Sequence, residues 1–191
     1  MEIYILSSST YKDIDKNHGD CILVIKDKNA VVYDCGSEEH AEKVIDILRE
    51  KNINKATAIL SHNDDDHFLG FPYLIKNGYV TELYTVLLLK YADDILKKLD
   101  DGRRNKDSVK RAITQKYDNI YSLKGTVNLH DVYEENALPD FTEFVGPDYN
   151  FMIEVAAKAI NDSEGDTIDL ETVTNAASIQ IKILLALKKF F

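Results

Sequence analysis

Four side chains able to ligate metal, His62, Asp64, Asp66 and His67, fall within the stretch L-S-H-N-D-D-D-H-F-L-G-F-P, Leu60 to Pro72. Two imidazoles and two carboxylates crowded this closely repel or stay unsatisfied unless a cation lies between them. The chemistry this suggests is metal-assisted hydrolysis. A bound metal pair lowers the pKa of a shared water towards about 7 and makes it a nucleophile. Asp66 is the natural residue to orient that nucleophile, besides binding metal. The structural alternative is an acidic loop with two incidental histidines. The sequence shows no Ser-His-Asp ordering, Gly-rich phosphate loop or CxxC pair to support another mechanism.

Something must hold those side chains. Thr57, Ala58, Ile59 and Leu60 are small or apolar and predict a buried strand, and Phe68 to Lys76 suits a helix. The four residues then sit in a loop at the C-terminal mouth of a strand, where α/β proteins usually hold ligands and metals.

The stretch resembles the metallo-β-lactamase-fold hydrolase signature His-x-His-x-Asp-His, with Asp64 in place of the second histidine. The resulting His-x-Asp-x-Asp-His resembles the metallohydrolase domain of ComEC-type DNA-uptake proteins and their soluble relatives. The resemblance implies a di-metal site in which His62 and Asp64 hold the first ion and Asp66 and His67 the second. Asp65 inherits no role. A carboxylate at position 64 hardens the first site, so manganese becomes an alternative to zinc, with up to two ions bound. The pieces G-D-C-I-L-V-I and V-V-Y-D-C-G are similar to the family's opening hairpin, in which Asp34 supports the loop rather than binding metal. T-N-A-A-S-I-Q-I is similar to the run in which an Asn and a Ser open a late strand. Asn175 there either approaches the metal centre or serves as a turn residue.

Length and composition bound the rest. The chain has 191 residues, 45% hydrophobic and 29% charged, enough for one domain with a real core. A single domain over 1–191 is expected. Its fold class is α/β (α+β), a metallo-β-lactamase-like αβ/βα sandwich, the first half plus part of the second. The formal net charge of -10 does not attract nucleic acid or anionic membrane as a whole. The segment from Lys90 to Lys124 differs, with ten basic residues against six acidic ones, so that it carries +4 and the remainder -14. It is the one region able to attract a phosphate backbone, although the reading preferred for it is a solvated helical pair of mixed charge. Cys21 and Cys35 lie in or beside apolar runs and read as buried thiols. No basic-then-apolar signal segment opens the chain, and no apolar run nears the roughly 20 residues of a membrane span. A cytoplasmic location without membrane contact is expected.

In chain order, the pattern predicts strands at Glu2–Leu6, Cys21–Ile25, Ala30–Tyr33, Ile53–Leu60, Glu82–Leu89, Phe141–Val145 and within Asn175–Leu187. Helices are expected near Glu38–Lys51, Phe68–Asn77, Asp93–Leu99, Asp107–Tyr117 and from Pro147 to about Ile160. Ile120–Leu123 and Thr126–Leu129 are expected to form a small hairpin. His18 is read as a turn residue, His40 as solvated on its helix and His130 as a surface histidine. Asn161 to Thr172 is acidic, turn-rich and expected near the site.

In the family, a Gly-Asp whose aspartate bridges the metals and a last histidine ligand follow further on. Neither has a counterpart in this sequence. The resemblance therefore implies a C-terminally incomplete domain: a piece of a split protein, a chain completed by a partner, or a remnant that pairs with itself. A homo-oligomer or complementing chain over the C-terminal edge is expected. Three functions remain open. One is a phosphodiesterase or nuclease-like metal-dependent hydrolase acting on nucleic acid or another phosphodiester. Another is an inactive interaction module of the same fold. The third is a hydrolase of lactams or thioesters.

Overall fold

Apolar residues on both parities of a strand mean that both faces of its sheet are covered. Strand β2 (Asp20–Lys26) shows this pattern, and so does the short β3 (Asn29–Tyr33). Cys21, Leu23 and Ile25 enter one core and Val24 enters another. The computed structural model describes residues 1–7, 19–99, 102, 104–134, 138–161, 175 and 177–184.

Six strands form the main sheet in the order β1-β2-β3-β4-β5-β6. The first three, β1 (Glu2–Ser7), β2 and β3, run antiparallel. From β3 onward the pairing is parallel through β4 (Ala56–Ile59), β5 (Val80–Thr85) and β6 (Asn128–Asp131). Parallel neighbours need crossovers. Helix α1 (Glu38–Glu50) supplies the first. The second uses the short α2 (Asp65–Phe68) and α3 (Phe71–Lys76), and the third α4 (Ala92–Leu99), α5 (Lys106–Lys116) and α6 (Asp118–Ser122). After β7 (Thr142–Gly146) comes α7 (Tyr149–Asn161). Then β8 (Gln180–Ile183) pairs antiparallel with β7 in a second sheet.

Three cores follow from this arrangement. On one face of the main sheet, Leu23, Val32, Ala58 and Leu83 pack with Val44 and Leu48 of α1 and Phe71 and Leu74 of α3. On the other, Val24, Val31 and Ile59 meet Phe141 and Ile179 beside the second sheet. Ile95, Val109, Ile113, Met152 and Ala156 join α4, α5 and α7 into a separate helical layer. The expected mixed α/β fold is therefore present.

Local chemistry explains most boundaries. Ser37 caps α1, its hydroxyl accepting the His40 N–H at 3.2 Å, with Glu38 and Glu39 in the first turn. Asn105 and Ser108 form a capping box on α5. Gly70 and Pro72 divide the single helix expected over Phe68–Asn77 into α2 and α3.

Three local expectations are corrected. The hairpin expected around Lys124-Gly125 is absent: Asp118–Ser122 is helical, and β6 pairs in parallel with β5, Leu129 opposite Leu83. Burial against a distant strand outweighs a local turn signal. His40 is fully buried rather than solvated, because it shares the α1 stripe with Val44 and Leu48 at four-residue spacing, and its Nδ1 lies 3.0 Å from Ser37 Oγ. His130 is half-buried, hydrogen-bonded to Glu82 and stacked on Tyr84. The His18 turn, most of Asn161–Thr172 and the end of the last predicted strand lie outside the described residues. Both cysteines are free and buried. No described helix is long and apolar enough to cross a membrane.

Candidate metal centre

The centre begins where β3 and β4 end side by side. The Asp34 N–H bonds the Ile59 carbonyl at 2.9 Å, and the Leu60 N–H bonds Tyr84 O at 2.9 Å. Asp34 then turns into the left-handed region, φ 56°, which Asp tolerates better than most residues. The turn aims its buried carboxylate at the next loop. Oδ1 accepts the Ser61 N–H at 2.7 Å, and Oδ2 accepts the Ser61 hydroxyl at 2.7 Å and His67 Nδ1–H at 2.8 Å. Asp34 thus supports the loop, as its place in the opening hairpin suggested.

Backbone contacts lock the same region. Cys35 N–H donates to His67 O at 2.8 Å, and Gly70 N–H to Cys35 O at 2.7 Å. A Cβ at Gly70 would stand 2.3 Å from Cys35 Sγ and 2.4 Å from Ser37 O, so only glycine fits. Gly19, at φ 63°, packs against the Asp66 carbonyl, where a Cβ would lie at 1.6 Å.

All four predicted ligands are brought together, as two pairs. His62 Nε2 lies 3.4 Å from Asp64 Oδ2, and His67 Nε2 lies 3.8 Å from Asp66 Oδ2. The two imidazole centroids are 4.1 Å apart. Among the described residues, no group of three His, Cys, Asp or Glu side chains closes into a ready-made ion cage.

The hydrogen bonds behind the rings fix which nitrogen faces the centre. Ser61 gives its proton to Asp34, so towards His62 Nδ1, 2.8 Å away, its oxygen acts as acceptor. Ser178 Oγ lies 3.1 Å from the same nitrogen. His62 therefore carries its proton on Nδ1. Its Nε2 lone pair, buried and without a hydrogen bond, faces a carboxylate oxygen. His67 spends Nδ1–H on Asp34 in the same way. A lone pair facing a carboxylate at each pair is an arrangement that a cation resolves, and imidazole ligands commonly use the second nitrogen for such an anchoring bond. The donor chemistry fits a divalent ion.

With no ion bound and a second proton on each ring, the same contacts become charge pairs. The neighbouring His62 ring holds the Asp64 carboxyl below its ordinary range against the opposing effect of burial, with smaller help from His67 and Lys116. Burial pushes His67 down, but the bond and charge of Asp34, with Asp66 and Asp64 adding, outweigh it and leave the pKa raised.

Sequence reasoning singled out the four side chains and Asp34. It missed Ser61, Ser178, Asn63, Asn119 and the two tight glycines. Of the T-N-A-A-S run it weighed Asn175, which is exposed; its carbonyl accepts the Ser178 N–H, and it is Ser178 that reaches His62. The only signal for Ser178 was its place in that run. Four of the ten basic residues of the segment form ion pairs: Lys90, Lys97, Lys98 and Lys106 pair with Glu134, Asp94, Glu154 and Asp93. A small apolar cavity of about 40 Å³ adjoins His62, walled by Val86, Leu88, Ile120, Met152 and Ala156.

The sequence model of the metallo-beta-lactamase superfamily matches residues 14–151, which include all four candidate ligands and Asp34. The chain belongs to the metallo-beta-lactamase superfamily. No curated protein and no solved structure matches it. Membership in the metallo-beta-lactamase superfamily implies metal-dependent hydrolysis as the general chemistry and divalent ions, commonly zinc, as the general cofactor.

Proposed function

We propose that this chain is a metal-dependent hydrolase of phosphodiesters, with His62 and Asp64 holding one divalent ion, zinc or manganese, and Asp66 and His67 a second. The observation that carries this reading is the pair of imidazole nitrogens directed at carboxylates, each imidazole anchored through its other nitrogen. Ions bound there supply Lewis acidity that activates water and polarises the bond to be cut.

The protein residues have separate tasks. Asp66 orients the attacking water and takes up its proton. Asp34 holds His67 in one tautomer, and Ser61 and Ser178 do the same for His62. The apolar wall beside His62 lowers the local dielectric and strengthens each charge interaction near it. Two features favour a phosphodiester over a lactam or thioester: the carboxylate at position 64, which suits a harder ion, and the ammonium charge of Lys116 felt at Asp64.

The test is metal content together with turnover of single-stranded DNA and of a chromogenic phosphodiester, comparing the wild-type chain with an Asp66→Ala, His67→Ala double variant. Loss of ion and turnover together is expected; equal turnover in both proteins removes the proposal.

A second reading, an interaction module without catalysis, draws on the absence of a three-donor cage among the described residues. Thermal melting with added zinc or manganese separates the two, since an ion that binds the folded chain raises its midpoint.

A further inference from the structure

Asn63 stands between two proposed ligands, His62 and Asp64, and it is held twice by the helical layer. Its side-chain Nδ2 donates to the Lys116 carbonyl at 2.9 Å. Its own backbone carbonyl accepts from Asn119 Nδ2 at 2.8 Å. Lys116 ends α5 and Asn119 lies in the first turn of α6, so both contacts come from one helix junction. The Lys116 carbonyl belongs to the last turn of α5, where carbonyls lack a helical partner and take one from outside. The direction of each amide follows from its partner, because a carbonyl oxygen can only accept. Asn63 Oδ1, on the other side of that amide, is buried without a hydrogen bond. The orientation is therefore set by the one donation to Lys116.

The other pair is held differently. His67 and the Asp66 carbonyl rest against Asp34 and Gly19, which flank the β2–β3 hairpin. His67 makes its hydrogen bonds to Asp34, Asp64 and Cys35, none of which lies on α5 or α6. The His62–Asp64 pair thus has an attachment to the helical layer in addition to what it shares with His67, whose N–H bonds the Asp64 carbonyl at 3.0 Å.

We propose that Asn119 is a positioning residue for the His62–Asp64 pair alone, fixing the backbone between those two ligands and so setting the affinity of one ion site without the other. This rests on the reading of His62 and Asp64 as ligands. The peptide at Asn63 controls the directions of both flanking side chains. Freeing its carbonyl lets His62 Nε2 and Asp64 Oδ2 move out of the geometry an ion needs. Contacts one step behind a ligand typically alter metal affinity by about 10- to 100-fold.

The test uses the full chain, titrated calorimetrically with manganese and with zinc. Asn119→Ala removes the clasp. Asn119→Asp also removes its donor but keeps an acceptor for the Ile120 N–H, which Asn119 Oδ1 now caps at 2.8 Å. The site under test is the binding step that disappears in Asp64→Ala. Both Asn119 variants are expected to weaken that step about 10-fold and leave the other within about twofold. Amide hydrogen exchange in the chelated protein gives a readout that needs no metal: His67 and Phe68, whose N–H groups bond the Asp64 carbonyl, are expected to exchange faster in both variants, with Gly70, bonded to the Cys35 carbonyl, unchanged.

Equal affinities and equal exchange in variants and wild type overturn the proposal. So does a uniform loss at both steps that tracks a lowered melting point of the chelated protein, since that marks a purely structural role. Wild-type protein that takes up no ion overturns the reading of the site itself, and exchange then decides the clasp separately.

Discussion

The two histidines of the centre share a motif and a tautomer but not a support. His67 leans on the buried carboxylate of Asp34, which also binds the Ser61 amide and hydroxyl. His62 leans on two neutral hydroxyls, one adjacent in sequence and one 116 residues away, just before β8. A charged acceptor makes a stronger bond than a neutral one and biases the ring towards its protonated form. The His67 pair is therefore a rigid, charge-anchored half and the His62 pair a neutral half assembled from remote parts. Within one six-residue motif, preorganisation has two different sources.

Perturbing the two halves unequally sharpens that comparison. The largest effect is expected for Asp34→Ala, which strands the Ser61 amide and hydroxyl and His67 Nδ1 at once. A loss of about 3–5 kcal/mol in urea unfolding is expected. A loss below about 1 kcal/mol would show that His67 is not charge-anchored.

Gly70→Ala comes next, at about 2–3 kcal/mol, because the new Cβ meets the Cys35 and Ser37 carbonyl oxygens and backbone yields little. The same denaturant series measures it.

A pH series tests the charge directly. The raised His67 pKa means that the protonated ring stabilises the metal-free fold. That contribution is complete below the ordinary histidine value of 6.5 and fades as pH rises through the raised folded value. The melting point of chelated protein is expected to drop over that window, and the drop to vanish from this group in Asp34→Asn. A flat wild-type profile sinks the argument.

Ser178→Ala is expected to cost only about 1 kcal/mol, since Ser61 still accepts from His62. Smallest is Lys106→Ala, which breaks an exposed pair with Asp93 and should change stability by less than about 0.5 kcal/mol.

Much of the fold is legible because its signals are local. The β2–β3 hairpin shows in two apolar runs around Lys26-Asp27-Lys28-Asn29, and the strand before the motif in Thr57 to Leu60. The cap at Ser37 marks the start of α1 within a residue or two. The failures have different causes. Strand β6 takes its partner, β5, from more than forty residues earlier, and nothing near Lys124-Gly125 announces it. His40 was judged by its charged neighbours, when its four-residue spacing to Val44 and Leu48 decides its burial.

The sequence by itself determined the His-x-Asp-x-Asp-His motif, the strand mouth that presents it, the local hairpin and the superfamily. Those depend on residue type and on spacing within a dozen positions, where the chain's own geometry leaves few choices. Only the tertiary structure decided that Asp34 and Ser61 lock the two rings, that Ser178 reaches His62, and that Asn119 clasps the loop. Each of these is a hydrogen bond about 2.7–3.1 Å long, and most join residues far apart in sequence. Such pairings form only after the sheets and helices have packed, because burial, and not neighbouring sequence, selects the partner.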